Sequence, residues 1–128
     1  MLDEARRFLS LASNDLAAFR ALVALPHIRQ ALAFFHAQQA IGKTLKAVLF
    51  AHGVVFRRTH DLHELADQLR KNGIDFPSSA DELAEINPFA VEFRYGDEVI
   101  NTLDPLDVDA LANRVVNWAM VTVNAKQS

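Results

Sequence analysis

Apolar residues recur at alternating steps of three and four from the second position onward: Leu2, Ala5, Leu9, Ala12, Leu16, Phe19 and Val23. Only a helix gathers that spacing onto one face, so the pattern predicts a helix over about 3–24. Pro26 breaks it and suits the first turn of a following helix, where its missing N–H would be unpaired anyway. The next window, about 27–52, is apolar around most of its circumference and is expected to be the central, most buried helix. Phe34, Ile41, Leu45 and Val48 share one face. At 100° per residue, His36, Gln39, Lys43 and Lys46 fall in a strip about 80° wide on the other side and are its water-facing residues.

Punctuation along the rest of the chain completes the outline. Gly53 and Asn72-Gly73 are helix stops, because glycine enters the left-handed region without steric cost. Between them a helix is expected over about 61–71, with Leu62, Leu65, Ala66 and Leu69 inward and Arg70 and Lys71 beside its C-terminal dipole. Ser79 and Glu82 form a capping-box pattern for a short helix ending near Ile86, which Asn87-Pro88 closes. The stretch 89–103 reads as a surface loop or a frayed helix end. Asp104 as N-cap and Pro105 as first residue open a last helix to about Asn124, with Leu111, Val115 and Trp118 inward. Val54-Val55-Phe56 is the one strand-like run and is too short for a sheet. The expected fold is all-α, an up-and-down antiparallel bundle of four to five helices, folded as one domain over 1–128.

Composition narrows the functional classes. The chain has no cysteine, which removes disulfides and thiolate-bound zinc and fits a reducing, cytoplasmic setting. The N-terminus mixes acids and arginines among its apolar residues, unlike a secretion signal, and the apolar runs fall far short of the ~20 residues a membrane span needs. A soluble protein without a membrane partner is expected. The net charge of −3 hides a division: Leu16 to His60 holds no acid, while Asp61 to Ser128 holds thirteen acids against five bases. Either the halves neutralise one another, within a monomer or across a dimer, or the first half presents a cationic anion-binding patch.

Three segments resemble the HEPN family, the nucleotide-binding domain of higher eukaryotes and prokaryotes. Phe35 to Phe50, FHAQQAIGKTLKAVLF, is similar to the family's second-helix pattern. Thr59-His60-Asp61-Leu62 is similar to the His-Asp-Leu that opens its third helix, and Phe93-Arg94-Tyr95 to its Arg-Tyr motif before the last helix. Their order and spacing across about 14–123 give the combination its weight. The resemblance implies a helical bundle, a homodimer, and partnership with a minimal nucleotidyltransferase in toxin–antitoxin-like pairs. One departure is Gly42, where the family carries glutamate before the lysine matched by Lys43. A mid-helix glycine costs about 1 kcal/mol against alanine, so close approach of a neighbouring backbone is its expected reason, and Lys43 is left without an adjacent acid.

Ribonuclease members of the family use an arginine and, four to six residues on, a histidine. The imidazole moves protons and the arginine stabilises transition-state charge. Here Arg94 and Tyr95 occupy the matching place, but no histidine follows His63. The reading is therefore a non-catalytic HEPN module, with no catalytic residue, cofactor or metal assigned. It binds a nucleotide, RNA or other phosphorylated ligand through Lys43, Lys46, His60, Asp61, Arg94 and Tyr95, or docks onto a nucleotidyltransferase. Each residue has a plainer role available: solvated lysines, a helix cap at His60 and Asp61, and a loop anchor at Arg94 and Tyr95. The alternatives are a metal-independent endoribonuclease using a relocated His60 or His63 near Arg57 and Arg58, and a purely structural dimerisation domain.

Overall fold

The computed structural model describes residues 2–90 and 103–127. Among them the chain forms five α-helices and one 3-10 turn, with no strand: α1 (Leu2–Val23), α2 (Gln30–Ala51), α3 (Leu62–Lys71), α4 (Ala80–Ile86), the 3-10 turn Asn87–Ala90, and α5 (Pro105–Gln127). The all-α bundle anticipated from periodicity is present. Val54-Val55-Phe56 belongs to no regular element and makes no sheet pairing among the described residues.

α1 and α2 lie antiparallel, because residues meet in reverse order along them: Phe8 stacks near Phe50 with ring centroids 5.2 Å apart, and Phe19 near Phe34 at 6.2 Å. The alanines of α2 at 31, 33, 37, 40 and 47 are buried, and their small side chains let neighbouring helices come close around the whole circumference. That makes α2 the centre of the core, as its composition requires. Pro26 does not start this helix. It is the second residue of a tight turn closed by the Ile28 N–H donating to the Leu25 carbonyl at 3.2 Å, where its fixed φ is equally well suited, and α2 begins four residues later at Gln30.

α3 is only ten residues long, too short to persist alone in water, and depends on tertiary burial of Leu62, Leu65, Ala66 and Leu69. Each fully buried leucine contributes roughly 1.5–3 kcal/mol. Both α2 and α3 end in the same six-residue closure. The Val54 N–H donates to the Leu49 carbonyl and that of Ile74 to Leu69, each at 3.0 Å, around Gly53 and Gly73 with φ of 69° and 72°. The capping box of Ser79 and Glu82 is complete. Asn87-Pro88 closes α4 after Ile86, as the sequence predicts. Asn87 stays helical and the chain tightens into the 3-10 turn, which needs no donor from Pro88 and seats Phe89 edge-on to Phe34 at 5.2 Å. Asp104 caps α5 by accepting from the Leu106 N–H at 2.9 Å, and the helix runs through Gln127, past Asn124.

Candidate functional site

The centre of α2 builds the site. Gln38 is 1 % exposed, and its amide donates to the His60 backbone carbonyl at 2.7 Å while its own carbonyl oxygen accepts from Gln39 at 2.9 Å. This pins the end of the connecting segment 54–60 against α2. The other end is set by the Gly53 closure. Within the segment, the backbone groups of Val55, Phe56, Arg57 and Arg58 hydrogen-bond to no other described residue. The segment is thus fixed at both ends and unpaired between them.

His60 and Lys46 both line a small crevice shared with Lys43, Gln39 and Thr59, and also a larger cleft of about 590 Å³. The larger cleft lies between the start of α1, the end of α2 and the connecting segment. Its walls are Phe8, Phe50, Gly53, Val54, Val55 and Phe56, and Glu4, Lys46, Arg58 and His60 supply its polar groups. Phe50 packs edge-on against Phe56 with centroids 5.2 Å apart, extending the contact with Phe8 into a three-ring wall. Burial, then the charges of Lys43 and Arg58, push the Lys46 ammonium below its ordinary range. Burial also lowers His60, with Lys46, Lys43 and Arg58 adding to it. Mutual repulsion of this kind marks a local concentration of positive charge.

Most other cations of the first half are neutralised. Arg20 grips Asp109 of α5 with two hydrogen bonds of 2.8 and 2.9 Å, and Arg57 grips Glu64 of α3 at 2.6 and 2.7 Å. Lys43 is the clearest departure from the sequence reading. It has a carboxylate after all, supplied across the helix pair by Asp15, whose second oxygen contacts His36 Nδ1 at 3.0 Å. His36 and Lys43 are therefore half-buried partners of α1 rather than simply wet residues. Lys46 and Arg58 make no ion pair among the described residues.

The sequence-derived candidates separate into three groups. Lys43, Lys46 and His60 converge, although Lys43 is shared with Asp15. Asp61 caps α3: one oxygen accepts from the His63 N–H at 2.9 Å and from the Asn87 amide at 3.1 Å. Burial works against its charge, but those bonds outweigh it and hold the carboxyl below its ordinary range. Arg94 and Tyr95 lie outside the described residues. Phe8, Phe50, Phe56 and Arg58 were not singled out for the site, because their spacing reads as core or as an undistinguished basic pair. Gly42 also has a different explanation from the one expected. A Cβ there would meet no foreign backbone, only a Leu62 methyl at 3.4 Å, an ordinary contact. Among the described residues no group of histidines and acids is placed to hold a metal, and no helix is long and apolar enough to cross a membrane.

An all-helical bundle with a cationic crevice on its central helix, opened by a His-Asp-Leu helix start, defines the class. The chain belongs to the HEPN domain family, whose model matches residues 1–121. No curated protein and no solved structure matches it.

Proposed function

We propose that this chain is a non-catalytic HEPN module that holds a phosphorylated ligand at Lys46, Arg58 and His60, with Lys43 at the edge of the site. The single observation that carries the reading is the pair of cations, Lys46 and Arg58, without a described acid partner beside a partly buried imidazole. An anion placed there relieves repulsion that the fold otherwise tolerates at a cost. Arg94 and Tyr95 remain candidates by family resemblance alone.

Calorimetric titration with ATP, GTP and a short RNA tests this. Binding should weaken at least about ten-fold in Lys46→Ala and Arg58→Ala, the loss of one charge-assisted contact. Arg57→Ala should bind normally, because its guanidinium is committed to Glu64. Equal losses for Arg57 and Arg58 would reduce the effect to net charge and sink the reading.

Family resemblance supports two further parts of the proposal, a homodimer and a minimal nucleotidyltransferase partner in a cytoplasmic toxin–antitoxin-like pair. Light scattering and co-expression with an adjacent nucleotidyltransferase check these. The ribonuclease alternative has one observation in its favour: a lowered His60 is largely neutral near pH 7, the form a general base requires. Incubation with total RNA decides it, since cleavage must vanish in His60→Ala.

A further inference from the structure

We infer that Lys46 is an amine nucleophile for acyl phosphates, whose phosphate end is held by Arg58 and His60 while the acyl group passes to Nζ of Lys46. This rests on the phosphate-binding reading above and adds a reaction that switches the site off.

The chain's lysines are Lys43, Lys46, Lys71 and Lys126, and the fold gives them different settings. Lys71 and Lys126 are exposed in the last turns of α3 and α5. Lys43 is held by the Asp15 carboxylate. Lys46 is half-buried and lines both the crevice on α2 and the larger cleft of about 590 Å³, with His60 in each and Arg58 in the larger. Only a neutral amine attacks a carbonyl, and an ordinary surface lysine is neutral to about 0.04 % at pH 7. Burial, then the charges of Lys43 and Arg58, lower Lys46 from its ordinary range, so more of it carries a free electron pair. Glu4 of α1 also lines the cleft, but the charges acting on Lys46 are those of the two cations.

The same surroundings choose the reagent. Arg58 keeps its charge at every working pH, so it anchors a phosphate while Lys46 gives up its proton to solvent. A carbonyl joined to that phosphate then lies beside the amine, and holding the two together turns an encounter into an internal step. Nζ forms a bond to the carbonyl carbon, the bond from that carbon to the phosphate oxygen breaks, and inorganic phosphate leaves with the electron pair. Nζ, positive after the attack, returns one proton to water. The product is a neutral amide, so acylation removes one of the two cations on which ligand binding depends.

The full chain is incubated with acetyl phosphate or with acetic anhydride, and acetylation of each lysine is followed by peptide mass spectrometry. With acetyl phosphate, Lys46 should react at least about ten-fold faster than Lys71 and Lys126, and its rate should saturate with reagent while theirs rises linearly. Arg58→Ala should abolish the saturation. Arg57→Ala should keep it, because Arg57 is committed to Glu64. Acetic anhydride carries no phosphate and should show saturation at no lysine. Protein acetylated at Lys46 should bind ATP at least about ten-fold more weakly than untreated protein. Even labelling of the lysines overturns the inference, and if calorimetry still finds phosphate ligands lost in Lys46→Ala, the binding site stands without the reaction. An equal preference for Lys46 with the anhydride overturns the acyl phosphate as reagent. Saturation that survives in Arg58→Ala overturns the placing of the phosphate at Arg58. If Lys46 is not labelled and no phosphate ligand binds, both readings fail.

Discussion

Gln38 reaches from the middle of α2 to the backbone carbonyl of His60, a 2.7 Å bond made by a side chain that is almost completely buried. A single interior amide thereby decides where the connecting segment rejoins the bundle. Gln38→Leu keeps the bulk and removes the donor, leaving a carbonyl and the Gln39 amide without their partner. The expected cost is about 1–3 kcal/mol in urea denaturation, accompanied by weaker anion binding as His60 drifts from Lys46. An unchanged denaturation midpoint would show that the bond does not position the segment.

Asp15 supports α2 from the other side. Its carboxylate is 13 % exposed and serves Lys43 and His36 together, so it lies between a surface pair and a buried one. Asp15→Asn is expected to destabilise the fold by about 1–3 kcal/mol, between the values typical of those two cases. Freed from its counterion, Lys43 should join the anion site, and phosphate affinity should rise several-fold. Lower affinity in this variant would mean that the Asp15 pair organises the site instead of competing with it.

Gly42→Ala should be neutral or stabilising, by up to about 1 kcal/mol, because the added methyl finds only the Leu62 side chain at 3.4 Å. Thermal unfolding measures this directly. A marked loss of stability would restore the idea that glycine is required for close approach.

Acid should destabilise the protein through His60 before it reaches the carboxylates. Burial, and then Lys46, Lys43 and Arg58, depress the folded-state value. The unfolded chain therefore binds the proton first, and stability falls as the pH drops from about 6.5 toward that depressed value. Asp61, Glu82 and Asp109 are depressed as well, so the stability they confer above the ordinary carboxylate range is lost as pH falls through their lowered values. Urea midpoints should decline between about pH 7 and 5.5, with a shallower decline in His60→Gln. A bound phosphate favours the imidazolium, so ligand affinity should increase over the same interval.

How much of this could be read from the chain depends on whether a signal was local. The helices were legible from periodicity, the starts of α3, α4 and α5 from Asp61, Ser79 and Asp104, and two of the ends from Gly53 and Gly73, because caps act within a few residues of themselves. Pro88 marks the end of α4 at Ile86 as the sequence reads, whereas Pro26 misleads on the start of α2, since a fixed φ fits a turn as well as a helix start. Lys43 looked unpaired because Asp15 lies 28 positions away, and only the packing of α1 on α2 joins them. The cleft was hidden for the converse reason. Phe8, Phe50 and Phe56 fall in apolar patterns that a core would also produce, and no sequence rule tells a wall from an interior.

The segment between the Gly53 closure and the Gln38 tether has a consequence for measurement. The amides of residues 55–58 are held by no described backbone partner, so their hydrogens can exchange with solvent while every helix stays intact. Deuterium uptake there should be fast in the ligand-free protein and should slow when a molecule fills the cleft, which would turn four peptide groups into a built-in occupancy gauge for ligand screening.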